Sequence, residues 1–404
     1  MRIMADKTDF LSHITLENGE LSLSEVKQET TPLDRFLRKP KPCVRIQDKN
    51  WQDRGSVAEK IWEILYFPGI RKGPDDNLSA EDIGDYQTLI KASVERGEPV
   101  GLVFIGFPFK TPNPLKTNRK LPDAGEFFFV KRLLEINEAV KLVYPPGISW
   151  EVLAEGEAYR SLFGVTKEEA WAYLSRVRSF ISYFGAEEII GIQDLAGLCH
   201  RYPEFLCKCE QIYKEIMDSL RGNGMVPNRL FQSIFQTMRS SANLARYSPE
   251  EIYYLAQSSK LSSMPEGLES QWNLLEQEAI DATARYLAFN QAKNKVGLNG
   301  LSAIQEAFPK HCYVSITQKP GRYSFHPLGR QNLYFPHHGV PVVEGKRNQG
   351  VKIVNLMDIV LNPKEYRAMH IVDDVENKPF AYATMPSLSE IYQEEWTRAT
   401  MLWG

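Results

Sequence analysis

Four hundred and four residues, 43% hydrophobic and 25% charged, describe an ordinary folded chain and exclude a disordered, fibrous or disulfide-stapled one. Forty-eight Lys and Arg against fifty-one Asp and Glu leave a net charge of -3, so the composition provides no global basic field for nucleic acid or an anionic membrane, and any anion site is local. No apolar run reaches transmembrane length, the start Met1-Arg2-Ile3-Met4-Ala5-Asp6-Lys7 carries no apolar signal core, and five sparse cysteines fit reduced thiols, so a cytoplasmic protein is expected.

Residues 1–45 are polar and mixed in charge, ending in Arg38-Lys39-Pro40-Lys41-Pro42, and read as an appended arm or linker ahead of an α/β catalytic unit over 46–404. A helix is predicted over Asp53 to Tyr66, with Val57, Ile61, Ile64 and Leu65 on one stripe and Pro68-Gly69 as its stop. The loop beginning Asp75-Asp76-Asn77 starts like a calcium loop but has Ala80 and Tyr86 where that loop needs glycine and glutamate, so calcium is rejected. Val100 to Phe107 is apolar without alternation, as in a strand covered on both faces. Gly125 to Lys141 has the helical period, Pro145-Pro146-Gly147 stops it, and Ile148 to Ala154 supplies the next strand of a right-handed crossover.

The middle third carries helical stripes: Phe205, Cys209, Ile212, Ile216 and Leu220, then Leu268, Trp272, Leu275, Ala279, Ala282 and Tyr286. From His311 the texture changes to short apolar segments at Cys312–Thr317, Leu333–Phe335, Val340–Val343, Val351–Val354 and Phe380–Ala383. These imply a β-rich C-terminal part closed by a helix around Ser387 to Arg398.

Two segments carry candidate chemistry. The first is the loop from Phe107 to Glu126, which leaves the buried strand at its carboxyl end, where open α/β sheets bind ligands. Lys110, Lys116, Arg119 and Lys120 place four cations in eleven residues without an acid, a composition suited to phosphate or carboxylate. Pro108, Pro112, Pro114 and Pro122 stiffen the loop, and Asp123 and Glu126 fall at the start of the next helix, where acids are favoured. The alternative is a solvated, capped connector.

The second segment is Arg322-Tyr323-Ser324-Phe325-His326-Pro327, followed by Arg330 and Phe335-Pro336-His337-His338. An extended chain would put Arg322, Ser324 and His326 on one face, giving a cation, a hydroxyl and an acid/base group. A rival reading makes a metal-dependent oxygenase or hydrolase of His326, His337 or His338 with Glu344. Cys207 and Cys209 stand two apart on a predicted helix and point to nearly opposite sides, so with Cys199 and His200 they read as structural. Dinucleotide, Walker A and nucleophile-elbow patterns are absent.

In these segments the sequence resembles the isonitrile (isocyanide) synthase family of the pyoverdine/dityrosine type. The family's loop pattern stands here as Pro108-Phe109-Lys110-Thr111-Pro112-Asn113, Lys116 and Leu121-Pro122-Asp123-Ala124-Gly125-Glu126. Its Arg-x-Ser-x-His-Pro stands as Arg322, Ser324, His326 and Pro327, its Pro-Trp-His is echoed by Pro336-His337-His338, and its Ser-Asp-Gly segment by Ala154-Glu155-Gly156. The chain departs from the pattern at Asn118-Arg119, Glu155, Ser161 and His337, which bears on the amine pocket and on phosphate binding.

The resemblance implies a Rossmann-like core and conversion of the amino group of an L-amino acid, by default Tyr or Trp, to an isonitrile. Ribulose 5-phosphate would donate the carbon, and no redox cofactor or metal is implied. The fungal branch implies an N-formyl product instead. The roles implied are proton transfer and catalysis by Lys110, Asp123, Glu126 and His326, and substrate binding by Asn113, Lys116, Arg119, Glu155, Arg322, Ser324, Arg330 and His338. An iron/2-oxoglutarate oxygenase is the implied downstream partner, nucleic acid and membrane are not partners, and a homodimer is left open.

Overall fold

The computed structural model describes residues 14–17, 20–23, 26–31, 40–44, 51, 55–72, 78–222, 228–257, 261–297, 301–329, 332, 334–343, 351–371 and 374–384. In chain order its strands are β1 (Ile14–Glu17), β2 (Glu20–Leu23), β3 (Lys27–Thr31), β4 (Val100–Gly106), β5 (Ile148–Ala154), β6 (Ile190–Asp194), β7 (Cys312–Tyr313), β8 (Val340–Val343), β9 (Val351–Val354), β10 (Tyr366–Ile371) and β11 (Ala381–Thr384). They form three sheets.

The central sheet has the order β6-β5-β4-β7 and every pairing in it is parallel. The apolar run of β4 follows from this, because both of its faces are covered. Leu102 and Phe104 point into one core with Trp150 and Val152 of β5, under the helix Ala124–Lys141. Val103 points to the other face, with Leu153, Phe205 and Ala288 from the helical middle of the chain. Trp150 also donates its indole N–H to the carbonyl of Leu133, 3.1 Å away, which ties the helix to the sheet. The fold is thus α/β with a Rossmann-like core.

From β4 the chain steps through β5 to β6 on one side, then returns after the helical region to place β7 on the other side of β4. The strand order therefore reverses between β4 and β7, and loops leaving neighbouring strands there part to open a crevice.

The C-terminal part forms a mixed sheet of order β3-β10-β11-β8-β9, in which β3/β10 and β11/β8 are parallel and the others antiparallel. β3 comes from within the expected arm and pairs with β10 from Lys27–Arg367 to Thr31–Ile371. The segment expected as a strand around Leu333–Phe335 instead leads into a single turn of 3-10 helix at Pro336–His338, where Pro336 lacks the N–H a strand would use. The closing helix expected at Ser387–Arg398 lies outside the described residues. The helix Phe205–Gly222 leaves Cys207 exposed and Cys209 half-buried, as their spacing requires.

Candidate active site at the sheet's switch point

The loop after β4 begins with a forced backbone. Phe107 has φ 50°, a left-handed conformation that costs a bulky residue on the order of 1–2 kcal/mol. Its ring is held against Phe129, centroid to centroid 4.8 Å, so core packing offsets the strain. The chain then runs so close to the start of the next strand's loop that a Cβ on Gly156 would lie 2.6 Å from the Pro108 carbonyl oxygen.

Inside this loop Lys110 is fully buried. Its Nζ lies 2.7 Å from Asp123 Oδ2 and 2.9 Å from Glu126 Oε2, and it donates to the Pro336 carbonyl at 2.8 Å. Asp123 caps the helix Ala124–Lys141, accepting from Gly125 N at 2.8 Å, while Glu126 accepts from Asp123 N at 3.0 Å and from the Tyr173 hydroxyl at 3.1 Å. Burial holds the Asp123 carboxyl well above the usual range, against the pull of Lys110 and with a push from Glu126. One ammonium is shared by two buried carboxylates, and the loop's two ends are closed on each other and on the Pro336 turn.

That turn is stitched to the loop again by Thr111, whose N–H donates to the His337 carbonyl at 2.9 Å and whose hydroxyl meets His338 Nδ1 at 2.8 Å. Burial first, then Lys116 and Lys110, push the His338 imidazole down to about 3, so it is neutral at physiological pH. His337 is driven down by burial and by His338.

Above the turn lies a cavity of about 300 Å³ at the carboxyl ends of β4, β5 and β7, lined by Pro108, Glu155, Tyr313 and the segment after β7. Its lining includes the apolar and aromatic side chains of Phe109, Tyr159, Phe163, Ile234, Met238 and Tyr286. Among them stand the polar groups Glu155, Asn290, Lys319 and Arg322, with the Asn290 amide donating to the Tyr159 hydroxyl at 3.0 Å and the Arg322 guanidinium stacked 3.7 Å from the Tyr313 ring centroid. Behind Asn290, Lys293 is 3% exposed and donates to Asn290 Oδ1. Burial raises the Glu155 carboxyl to about 6 while Lys293 and Lys319 oppose the shift. Burial also lowers the Lys293 amine to about 7, with Lys319 adding to the effect and Glu155 opposing it. Both groups are thus brought within about a unit of neutrality, where acid/base work is most effective.

The residues marked by the sequence fall into four places. Glu155, Arg322 and His338 line the cavity. Lys110, Asp123 and Glu126 form the buried triad behind it. Asn113 and Lys116 line a neighbouring cleft, where they donate to the carbonyl and hydroxyl of Ser240 at 2.8 and 3.0 Å. Arg119 is buried against Asp374 and Glu376, 3.0 and 3.1 Å away.

Of Arg322, Ser324 and His326, the first lines the cavity and the other two are not among its lining residues. The Ser324 hydroxyl turns back to the Thr317 carbonyl at 2.9 Å, and His326 is 9% exposed with its backbone N–H on Ile70 O. Arg330 and Glu344 lie outside the described residues. Sequence reading missed Lys293, Lys319, Asn290 and Tyr313. The available signal was Lys319-Pro320-Gly321-Arg322, a turn flanked by two cations.

Over 139 residues the chain is 29% identical to the L-tyrosine isonitrile synthase of Pseudomonas aeruginosa, spanning 33% of this chain and 42% of that protein. Over 130 residues it is 27% identical to the L-tryptophan isonitrile synthase AmbI2 of Fischerella ambigua, spanning 32% of this chain and 39% of that one. Each match thus spans less than half of the relative. The crystal structure of the PvcA protein from Pseudomonas aeruginosa superposes with a TM-score of 0.59 at 18% identity, covering 81% of this chain and 100% of that one, which shows a common fold. The model of the pyoverdine/dityrosine biosynthesis proteins matches residues 90–359, a stretch that holds β4 through β9, the Lys110 triad and the cavity, and the chain belongs to that family.

Proposed function

We propose that the protein is an isonitrile synthase that converts the amino group of an aromatic L-amino acid, tyrosine or tryptophan, to an isonitrile with ribulose 5-phosphate as carbon donor. The observation that carries the reading is the mixed lining of the cavity at the switch point, where the aromatic rings of Tyr159, Tyr286, Phe109 and Phe163 share one space with Glu155, Lys319 and Arg322. An aromatic side chain suits the rings, and offset or edge-on ring contacts there are worth about 0.5–1.5 kcal/mol beyond area burial. The amino and carbonyl groups then meet at the polar residues.

The first step in this reading is attack of the substrate amine on the sugar ketone. The N–C bond forms, the ammonium proton is lost, and the carbinolamine then expels water to leave an imine. Glu155 as carboxylate accepts the ammonium proton and returns it to the alkoxide oxygen, Lys293 as ammonium protonates the departing hydroxyl through water, and the resulting amine takes the remaining iminium proton, so that water and a neutral imine are left and both groups are restored. His338, neutral and fixed by Thr111, orients the reacting groups, and Arg322 holds an anionic group of the substrates. Lys110, Asp123 and Glu126 position the loop and the Pro336 turn, while Arg119 anchors the loop to Asp374 and Glu376. The product's reactive carbon then passes to a downstream iron/2-oxoglutarate oxygenase, a separate partner in this reading.

The test is incubation of the purified protein with ribulose 5-phosphate and a mixture of the proteinogenic amino acids, read by mass spectrometry. An aromatic amino acid gaining one carbon, with the isonitrile stretch in the infrared, is the expected result. A formyl product, or no product after saturation with both substrates, would overturn the assignment.

A further inference from the structure

Three of the four cations in the loop after β4 are already paired with carboxylates, Lys110 with two, Arg119 with two more and Lys120 with Glu169, while Lys116 donates to the Ser240 hydroxyl. A different set is not so paired. Lys319 and Arg322 flank a tight turn closed by Arg322 N on Lys319 O at 3.2 Å, with Gly321 supplying the left-handed φ of 67° the turn needs. Lys293, at the end of the long helix Glu269–Lys293, is bonded to Asn290, which lines the same cavity as Lys319 and Arg322. Among the described residues none of the three has a carboxylate within 4.0 Å.

The three repel one another. Burial and then Lys319 depress the Lys293 amine, and Arg322 depresses it further. Lys319 is itself lowered by burial and then by Arg322. The other groups that act on Lys293 are Glu155 at the end of β5 and Cys199 of the short helix after β6. Three cations against one carboxylate, at the edge of a cavity, form a surplus of about two positive charges when all are protonated. Such a surplus persists in a fold where a bound anion neutralises it.

We propose that Lys293, Lys319 and Arg322 form a subsite for a phosphate-type dianion, with Glu155 and the aromatic residues lining the rest of the same cavity. The arginine contributes a planar fork and the lysines two point charges, a set matched to a tetrahedral oxyanion rather than to a single carboxylate. Binding of the dianion relieves the mutual repulsion and draws a proton onto Lys293 near neutral pH. The identity of the natural ligand as a phosphorylated carbon donor rests on the proposed function; the subsite itself does not.

The experiment titrates the protein calorimetrically with inorganic phosphate and, separately, with acetate, in two buffers of different ionisation enthalpy near pH 7. Phosphate is expected to bind with proton uptake and acetate to bind at least about tenfold more weakly, since charge-assisted contacts are worth about 1.5–3 kcal/mol each. Lys319→Gln and Arg322→Gln should each weaken phosphate by about ten- to a hundredfold. Equal binding of acetate, unchanged phosphate binding in the double variant, or loss of phosphate binding in Lys116→Gln instead would overturn the proposal.

Should the variants fail to fold, acetylation of the unmodified protein settles the matter: phosphate should shield the half-buried Lys319 from the reagent, and unchanged labelling of it refutes the subsite. Phosphate binding intact without isonitrile product would refute the proposed function alone. Product formed by both variants with an unchanged KM for the sugar phosphate would refute the subsite alone.

Discussion

Replacing Lys110 with methionine separates a structural keystone from a group in contact with substrate. The substitution keeps the side-chain length but strips the cation from Asp123 and Glu126, whose side chains are 1% and 0% exposed. Removing one partner of a buried ion pair typically costs about 3–5 kcal/mol, because the remaining charge stays desolvated and unpaired. With an unfolding entropy of roughly 2.1 cal/mol/K per residue over 404 residues, that corresponds to a fall in Tm of about 4–6 °C. The loss should shrink as the solution is acidified from neutral pH, since Asp123, already pushed upward by burial, takes a proton and removes half of the excess charge. Adding Asp123→Asn and Glu126→Gln to Lys110→Met should recover most of the deficit, because the neutral trio no longer buries an uncompensated charge. Differential scanning calorimetry across that pH range reads all of this. A Lys110→Met protein whose Tm stays within a degree of the parent at every pH would refute the keystone reasoning, and lost turnover in that same protein would make Lys110 a participant in the chemistry.

Gly156→Ala should destabilise by about 1–3 kcal/mol, as overpacked sites do, because its Cβ would sit 2.6 Å from a backbone oxygen; a fully stable variant would show that the two loops can part freely. Glu155→Gln should lower kcat by at least about a hundredfold and remove the acid limb of the rate profile near pH 6; an unchanged profile would take Glu155 out of the proton transfers. Lys293 bears on stability through its lowered amine. Between about 7 and its ordinary 10.5 the unfolded chain holds a proton that the folded one does not, so unligated stability should rise with pH in that window, by up to about 1.4 kcal/mol per unit. Urea midpoints at pH 7.5 and 9 should show this rise in the parent and a flatter response in Lys293→Met, and identical slopes would contradict it.

The crossover from β4 through the helix to β5 was readable because each element's burial pattern is local: an unbroken apolar run, a helical period, and proline-glycine stops between them. The loop's importance was readable too, since four cations and four prolines between Pro108 and Pro122, set between a buried strand and a capped helix, are a local statement. The register of β3 on β10 was not, because those residues lie far apart in sequence and carry no pairing signal of their own. Neither was the turn at Pro336, where a short apolar run resembles a strand until tertiary contacts from Lys110 and Thr111 capture its carbonyls.

By itself, then, the sequence determined that this is an α/β chain with a cationic, proline-stiffened loop at the carboxyl end of a buried strand. Which cations remain available for a ligand was decided only in three dimensions. Arg119 is neutralised by Asp374, 255 positions away in the chain, and Lys110 by the first turn of the next helix. Lys293 and Lys319, unremarkable in their own segments, converge beside Arg322 because one ends the long helix and the other follows β7 on the far side of the strand reversal. Charge is a property of a residue, but unpaired charge is a property of its neighbours, and only folding chooses those.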